Sequence, residues 1–287
     1  MINMIKADLY RVFRGKGIYL AILLAVIMAS SSIYVMQPGY IGLTSSDTIS
    51  GDSMVDDETG LELSATNSIS KTRKILKETS GYPLDSAIIG TNVNLYYMFI
   101  IIVVGVLVTD LSHSTAKNTL SSAISKKKYY LSKLFTCCLL CIGLVLLNNY
   151  GTYIFNRLIN GAKFSSGIEK ITKYTLVQLP IMCGIISLLV CMAFLLRKTA
   201  AFNAVSIPFV MAAQIVIMGV SALFSIKSNH IMEYEYQFML SNLVTDTSFS
   251  YVMKSITLAI IYIVVFNILG YNAVSYTHLT LPTTSRV

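Results

Sequence analysis

The sequence predicts an all-α integral membrane protein with six transmembrane helices and an amphipathic helix at its N-terminus. The chain has 287 residues, of which 54% are hydrophobic and 13% are charged, whereas about a quarter of the residues in soluble domains are charged. Six apolar stretches are also close to the roughly 20 residues that a helix needs to cross a bilayer. They lie at about 18–36, 88–109, 134–155, 175–196, 201–225 and 256–273.

The first 16 residues predict a helix that lies along the membrane surface. Their apolar side chains share one helical face, and basic side chains lie elsewhere around the helix. The apolar set is Ile2, Ile5, Leu9, Val12 and Phe13, and the basic set includes Lys6, Arg11 and Arg14. A secretory signal peptide also begins with a basic segment. In this chain, however, the basic segment is long and amphipathic, and the apolar stretch after it is long enough to cross the bilayer. We therefore expect a retained first span.

Three polar segments are predicted to lie outside the membrane, at residues 37–87, 156–174 and 226–250. Residues 37–87 are rich in Ser, Thr, Asp and Gly, and their first half is too polar to form a core of its own. An acidic group at Asp52, Asp56, Asp57 and Glu58 lacks the glycine and glutamate register of a calcium loop. Residues 156–174 form a short outside connection, and residues 226–250 form another outside loop.

The last residues differ in character from the rest of the chain. Residues 274–287 begin VSYTHLTLPT, which resembles a translated sequencing adapter. We expect a non-native tail here, and take residues 1–273 as one membrane domain.

Several chemistries find no support in the sequence. The five cysteines all lie in apolar runs, which does not indicate a disulfide framework. Neither a phosphate-binding P-loop nor an HExxH motif occurs, and no basic stripe with interleaved aromatic residues indicates nucleic acid. We expect no enzymatic activity, no cofactor or metal bound by this chain, and no nucleic-acid partner.

The predicted span cores contain amides but no ionisable side chains. Ion-coupled transporters usually carry an ionisable group at mid-membrane, so this pattern disfavours them. The amides either form interhelical hydrogen bonds, worth about 1 kcal/mol each, or line a substrate path. For any single residue we favour the first interpretation. The candidates are Asn148, Asn149, Gln178, Asn203, Gln214 and Asn267.

A compact basic segment, residues 110–133, separates the second and third predicted spans. It reads DLSHSTAKNTLSSAISKKKYYLSK, and its apolar residues recur roughly at helical spacing. The segment, called the basic loop below, is predicted to be cytoplasmic and to contain a short amphipathic helix.

The wording of this loop resembles the first cytoplasmic loop of ABC-2 type transporter permeases, particularly those that export bacteriocins, lantibiotics or bacitracin. The matching pieces are Asp110, then STAKN at 114–118, then Ser125-Lys126, then YYLSK at 129–133. Ser114 stands where the family usually has glycine. Lys126 stands where it usually has arginine, so this position cannot form a bidentate guanidinium contact.

The resemblance implies the permease subunit of an ABC exporter, in the bacterial plasma membrane with both termini cytoplasmic. Lys and Arg are almost equally numerous on the two sides, so the orientation depends on the resemblance. Its partners would be an ATPase dimer, which carries ATP and Mg, and a second permease copy or a paralogous permease. The implied substrates are bacteriocin-type antimicrobial peptides, expelled for immunity or antibiotic resistance.

By the same resemblance the basic loop docks the ATPase. The residues expected at that contact are Asp110, Ser114, Thr115, Lys117, Asn118, Lys126, Lys127, Lys128 and Lys133. The lysines have a second interpretation, as topology signals or contacts to anionic membrane lipid worth about 1 kcal/mol each. A membrane sensor or scaffold that transports nothing is the alternative function.

Overall fold

The computed structural model describes residues 2–35, 84–112, 125–224 and 234–276, and these form helices joined by short turns. Six helices in these ranges are long and apolar enough to cross a membrane. The predicted all-α membrane fold class is therefore confirmed. The candidate spans are Lys16–Tyr34, Asn92–Ser112, Lys126–Asn160, Ile168–Leu196, Thr199–Leu223 and Phe249–Val274.

The predicted surface helix is present as α1 (Ile2–Arg14), followed by the first span α2 (Lys16–Val35). Asp8 and Val12 are buried against the rest of the chain, while Ile2 and Phe13 are exposed. One side of α1 therefore packs on the protein and another presents apolar side chains outward. This is the arrangement expected of a helix at a membrane surface.

The second span is built from several helical pieces. A short helix, α3 (Leu84–Gly90), precedes α4 (Leu95–Val103), which continues through a π-helical turn at Val104–Val108 into α5 (Thr109–Ser112). Such turns are rare and occur often at functional sites.

The third and fourth spans are long. The third, α6 (Lys126–Asn160), has 35 residues and so extends about 52 Å, which exceeds a hydrocarbon core of roughly 30 Å. The fourth, α7 (Ile168–Leu196), lies at the centre of the described helices, and 72% of its most apolar 18-residue stretch is buried. A tight turn, in which Arg197 adopts a left-handed φ of 56°, leads into the fifth span, α8 (Thr199–Phe224).

The sixth span, α10 (Phe249–Tyr276), packs closely on α7, although only 11% of its most apolar window is buried. A Cβ added to Gly184 of α7 would lie 3.3 Å from Tyr262 Cβ, so this glycine allows the close approach. Asn267 of α10 accepts a hydrogen bond from the Tyr130 hydroxyl (2.8 Å) and donates to Ser187 Oγ (3.2 Å). The sixth span is thereby bonded to the third and the fourth.

The predicted outside loop at residues 226–250 contains a helix, α9 (Tyr236–Thr245), that packs on neighbouring helices. Its buried apolar residues recur at i, i+3, i+4, i+7 and i+8, so they form one continuous stripe. They are Tyr236, Met239, Leu240, Leu243 and Val244. The stripe is buried against α3 and α7, so this part of the predicted outside loop is a packed helix.

The start of α9 lies beside the middle of the sixth span. The Tyr262 hydroxyl donates a hydrogen bond of 2.6 Å to the Tyr234 carbonyl, and Tyr262 is at the middle of the sixth span. The helix then ends three residues before α10 begins. It therefore runs from near mid-span level toward the end of the bundle at which the sixth span starts.

Candidate functional site

Of the basic loop, the structure describes the two ends, residues 110–112 and 125–133. Asp110 closes the second span, and Lys126, Lys127 and Lys128 form the first turn of α6, where Ser125 caps the helix by accepting from the Lys128 N–H (3.4 Å). Lys127 and Lys128 are exposed, and Lys126 is half-buried. Ser114, Thr115, Lys117 and Asn118 lie outside the described residues, as do the acidic group at 52–58 and residues 277–287 of the expected tail.

The two ends of the loop meet in a group of four charges, the charge cluster, in which Asp8, Asp110 and Lys133 are buried and Arg11 is partly exposed. The Lys133 ammonium donates to Asp8 Oδ1 at 2.7 Å and to Asp110 Oδ2 at 2.5 Å. Arg11 donates to Asp110 Oδ1 and lies 3.5 Å from Asp8 Oδ1. Acids and bases thus alternate around the cluster. Because there are two of each, their formal charges cancel.

The π-helical turn supplies a further acceptor to the same cluster. The Val106 carbonyl oxygen accepts from Arg11 Nη2 at 2.8 Å and from Lys133 Nζ at 3.2 Å. Val106 itself is fully buried. The π-helical turn of the second span therefore provides a backbone carbonyl that accepts hydrogen bonds from both cations.

Burial makes this cluster sensitive to the loss of any member. The Lys133 side chain is 3% exposed and the Asp8 and Asp110 side chains are each 11% exposed, whereas that of Arg11 is 41% exposed. Removing one partner of a buried ion pair costs about 3–5 kcal/mol, because the other charge loses its compensation. The pairs made by Lys133 should therefore matter more than those made by Arg11.

The charge cluster joins three elements that are distant in sequence: α1, the end of the second span and the start of the third. Asp110 and Lys133, both predicted at the docking contact, direct their charged atoms into the protein. Sequence reasoning missed Asp8 and Arg11 as partners. The available signal was that Asp8 is the single acid in an otherwise basic surface helix.

The predicted amides fall in different places. Asn148, Asn149 and Gln178 meet in an amide cluster with Asn92 and Thr175, in which Asn92 Nδ2 donates to Asn149 Oδ1 (2.9 Å) and to Gln178 Oε1 (2.8 Å). Asn148 Nδ2 donates to Asn92 Oδ1 (3.0 Å), and Asn149 Nδ2 to Thr175 Oγ1 (3.0 Å). Gln178 also donates to the Leu240 carbonyl (3.1 Å), which ties α9 to the spans.

The amide cluster satisfies its own polar atoms. Asn92, Asn149 and Gln178 are at most 2% exposed, so their amides face other protein groups. This arrangement supports interhelical hydrogen bonding for these residues rather than a polar path lining. Asn92 was missed because it lies at the edge of an apolar run.

The remaining predicted amides lie apart from this cluster. Gln214 donates to Gln237 Oε1 at 2.7 Å, Asn267 bonds to Tyr130 and Ser187, and Asn203 is half-buried on α8. Within the described ranges, no group of three or more His, Cys, Asp or Glu residues could hold a metal ion.

The fold and this site define a class, a multi-pass all-α membrane protein whose surface helix is fastened to the second and third spans by buried charges. Comparison with known proteins adds nothing narrower, since no family model, curated protein or solved structure matches the chain.

Proposed function

We propose that this chain is the membrane-spanning permease subunit of an ABC exporter, energised by a separate ATPase that binds at the basic loop. The observation that carries the proposal is the charge cluster beneath that loop. It ties both loop ends to α1, while Lys127 and Lys128 remain exposed on the first turn of the third span. The resemblance of the loop to those of ABC-2 type permeases supplies the identity of the partner.

The geometry supports a way to transmit movement. Asp110 and Lys133 are 23 residues apart in sequence, but their side chains are joined by a hydrogen bond of 2.5 Å. A displacement of the loop therefore acts on the ends of the second and third spans together. Because Lys133 also binds Asp8, α1 must move with them.

Energy from a partner is consistent with the composition of the spans. Their predicted cores contain no Asp, Glu, Lys, Arg or His, so the spans themselves offer no site for a coupling ion. The proposed setting is a bacterial plasma membrane with both termini cytoplasmic. Antimicrobial peptides of the bacteriocin type are the proposed substrates, by resemblance alone.

The test is whether an ATPase co-purifies with the tagged chain from gently solubilised membranes. A P-loop ATPase should be recovered in stoichiometric amount, as measured by mass spectrometry. The triple change Lys126→Glu, Lys127→Glu and Lys128→Glu should greatly reduce its recovery, because it reverses three charges at the proposed contact. Membrane insertion should be unchanged.

The matched control reverses charges at the opposite end of the bundle. Lys170 and Lys173 are exposed on the first turns of α7, and Lys170→Glu with Lys173→Glu should leave ATPase recovery intact. Equal recovery with the loop variant and with wild type would refute docking at these lysines. Failure to recover any ATPase, where other ABC complexes survive, would favour the sensor or scaffold alternative.

A further inference from the structure

A cavity of about 290 Å³ lies between α7, α8 and α10, at the point where α9 begins. Its walls are mainly apolar, and they include Gly184, Phe209, Ala213 and Phe266. The volume is about ten times the roughly 30 Å³ share of one water molecule in the liquid. It therefore suits the apolar part of a small organic molecule.

One acid, Glu235, lines this cavity. Its Oε2 atom accepts a hydrogen bond of 3.0 Å from the Phe238 N–H and so caps α9. The other carboxylate oxygen, Oε1, is buried and has no hydrogen-bond partner among the described residues. A buried carboxylate oxygen without a donor is costly, so a ligand that supplies an N–H would stabilise it.

A second polar atom of the lining is also unsatisfied. Tyr236 is 7% exposed, and its hydroxyl forms no hydrogen bond with the described residues. Among the described residues, the lining therefore includes one carboxylate oxygen and one phenol hydroxyl without a hydrogen-bond partner.

The aromatic wall of the cavity also suits a cation. Tyr234 lines the cavity together with Tyr236 and Tyr262, and the face of an aromatic ring attracts positive charge. One instance is present within the chain, where the Lys254 ammonium lies 4.5 Å from the centroid of the Tyr234 ring.

We infer that this cavity binds an organic monocation with an apolar aryl or alkyl body, whose ammonium group donates to Glu235 Oε1. The body fills the space between Phe209 and Phe266, and the ammonium lies beside Glu235 and Tyr236. The inference does not depend on the transport proposal, because it concerns binding to this chain alone.

Other occupants match the lining less well. A lipid acyl chain would fill the apolar space but leave the carboxylate oxygen without a donor. A hard divalent cation requires about six or more oxygen ligands, whereas Glu235 is the one carboxylate in the lining. An inorganic anion would be repelled by the same charge.

The experiment measures binding of 4-phenylbutylamine to the full chain in nanodiscs of zwitterionic lipid, by saturation-transfer NMR titration against empty nanodiscs. The matched probes 4-phenylbutanol and 4-phenylbutyrate share its body but lack the positive charge. The amine should bind at least about tenfold more tightly than either the uncharged or the anionic probe. A hydrogen bond between charged groups contributes more binding free energy than a tenfold change in affinity requires.

Two variants locate the site. Glu235→Gln preserves an oxygen that can cap α9 and should weaken amine binding at least about tenfold, while Ala213→Leu should fill the cavity and abolish binding. The control Glu169→Gln changes an exposed acid on the first turn of α7 and should have no effect. Equal binding of the amine and the alcohol, binding no stronger than to empty nanodiscs, or an unchanged affinity in Glu235→Gln would each overturn the inference.

Discussion

Lys133 is a buried cation held by two carboxylates and a backbone carbonyl. Its ammonium contacts Asp8, Asp110 and the Val106 oxygen within 3.2 Å. A lysine is rarely buried unless its charge is paired, so this residue depends on its partners and they on it. The cost of its removal should therefore be much larger than that of an exposed lysine on the same helix.

We expect Lys133→Met to lower the free energy of unfolding by about 3–5 kcal/mol, because it leaves two buried carboxylates with less compensation. Lys127→Met, at an exposed position of the same helix, should change it by about 0.5 kcal/mol or less. Thermal unfolding of both variants in the same detergent measures the difference.

A compensating variant separates the charge effect from the loss of packing. Asp8→Asn combined with Lys133→Met removes one acid and one base, and leaves Asp110 paired with Arg11. This double variant should recover part of the lost stability. If the double variant is less stable than Lys133→Met alone, the argument from charge balance is wrong.

The protonation of Glu235 should also control the proposed amine binding. Burial raises the pKa of its carboxyl, and the hydrogen bond from the Phe238 backbone N–H partly offsets that rise. Glu235 thus becomes protonated at a higher pH than an exposed glutamate. Since a neutral carboxyl offers no charge to an ammonium, amine affinity should fall as the pH is lowered through that pKa.

The same titration repeated with Glu235→Gln measures this effect directly, since the variant should bind weakly at every pH. Among the described residues, the titratable groups near this carboxyl are the phenols of Tyr234, Tyr236 and Tyr262 and the ammonium of Lys254. An equal decrease in wild type and variant would assign the pH dependence to another group.

At the scale of the helices, the sixth span depends on a small residue where it crosses the third and fourth. A Cβ on Gly270 would lie 2.9 Å from Tyr130 Oη and 3.3 Å from Cys191 Cα. The first contact is too close, and Tyr130 cannot move freely because its hydroxyl donates to Asn267. The second contact involves backbone, which yields less readily than a side chain.

We therefore expect Gly270→Ala to destabilise the protein by about 1–3 kcal/mol through overpacking. Gly143→Ala is the matched control, because a Cβ there meets nothing within 4 Å, and alanine in a helix interior is favoured over glycine by up to about 1 kcal/mol. Unfolding temperatures should shift in opposite directions. A neutral Gly270→Ala would mean that α10 can move away from α6 without cost.

At the scale of the whole molecule, two polar regions lie at different levels of the same helices. Lys133 and Asn149 are both on α6, 16 residues and so about 24 Å apart along its axis. The charge cluster joins the surface helix to the second and third spans, while the amide cluster joins the second, third and fourth spans to α9. The single helix α6 therefore connects the two levels.

Glu235 changes one argument drawn from composition. The spans have uncharged cores, but α9 carries this acid to a position near the middle of the sixth span. The uncharged cores therefore do not by themselves argue against a cation site at that level. Recovery of an ATPase would support the partner as the source of energy despite this acid.

Much of the architecture was determined by the sequence alone. In a membrane, an apolar run of about 20 residues can form all of its own backbone hydrogen bonds only as a helix. The spacing of apolar side chains in residues 2–14 likewise predicts α1. The same periodicity was available for α9 at residues 236–244, but its shortness and its polar flanks favoured an outside loop.

The tertiary structure decided which side chains meet. Asp8 and Lys133 are 125 residues apart, and no local pattern specifies such a pairing, because it depends on how α1 lies across the ends of two spans. The lysines of the basic loop look equivalent in sequence, yet packing buries Lys133 and leaves Lys127 exposed. Hydropathy is a property of each segment, whereas burial and charge pairing depend on the neighbours that folding supplies.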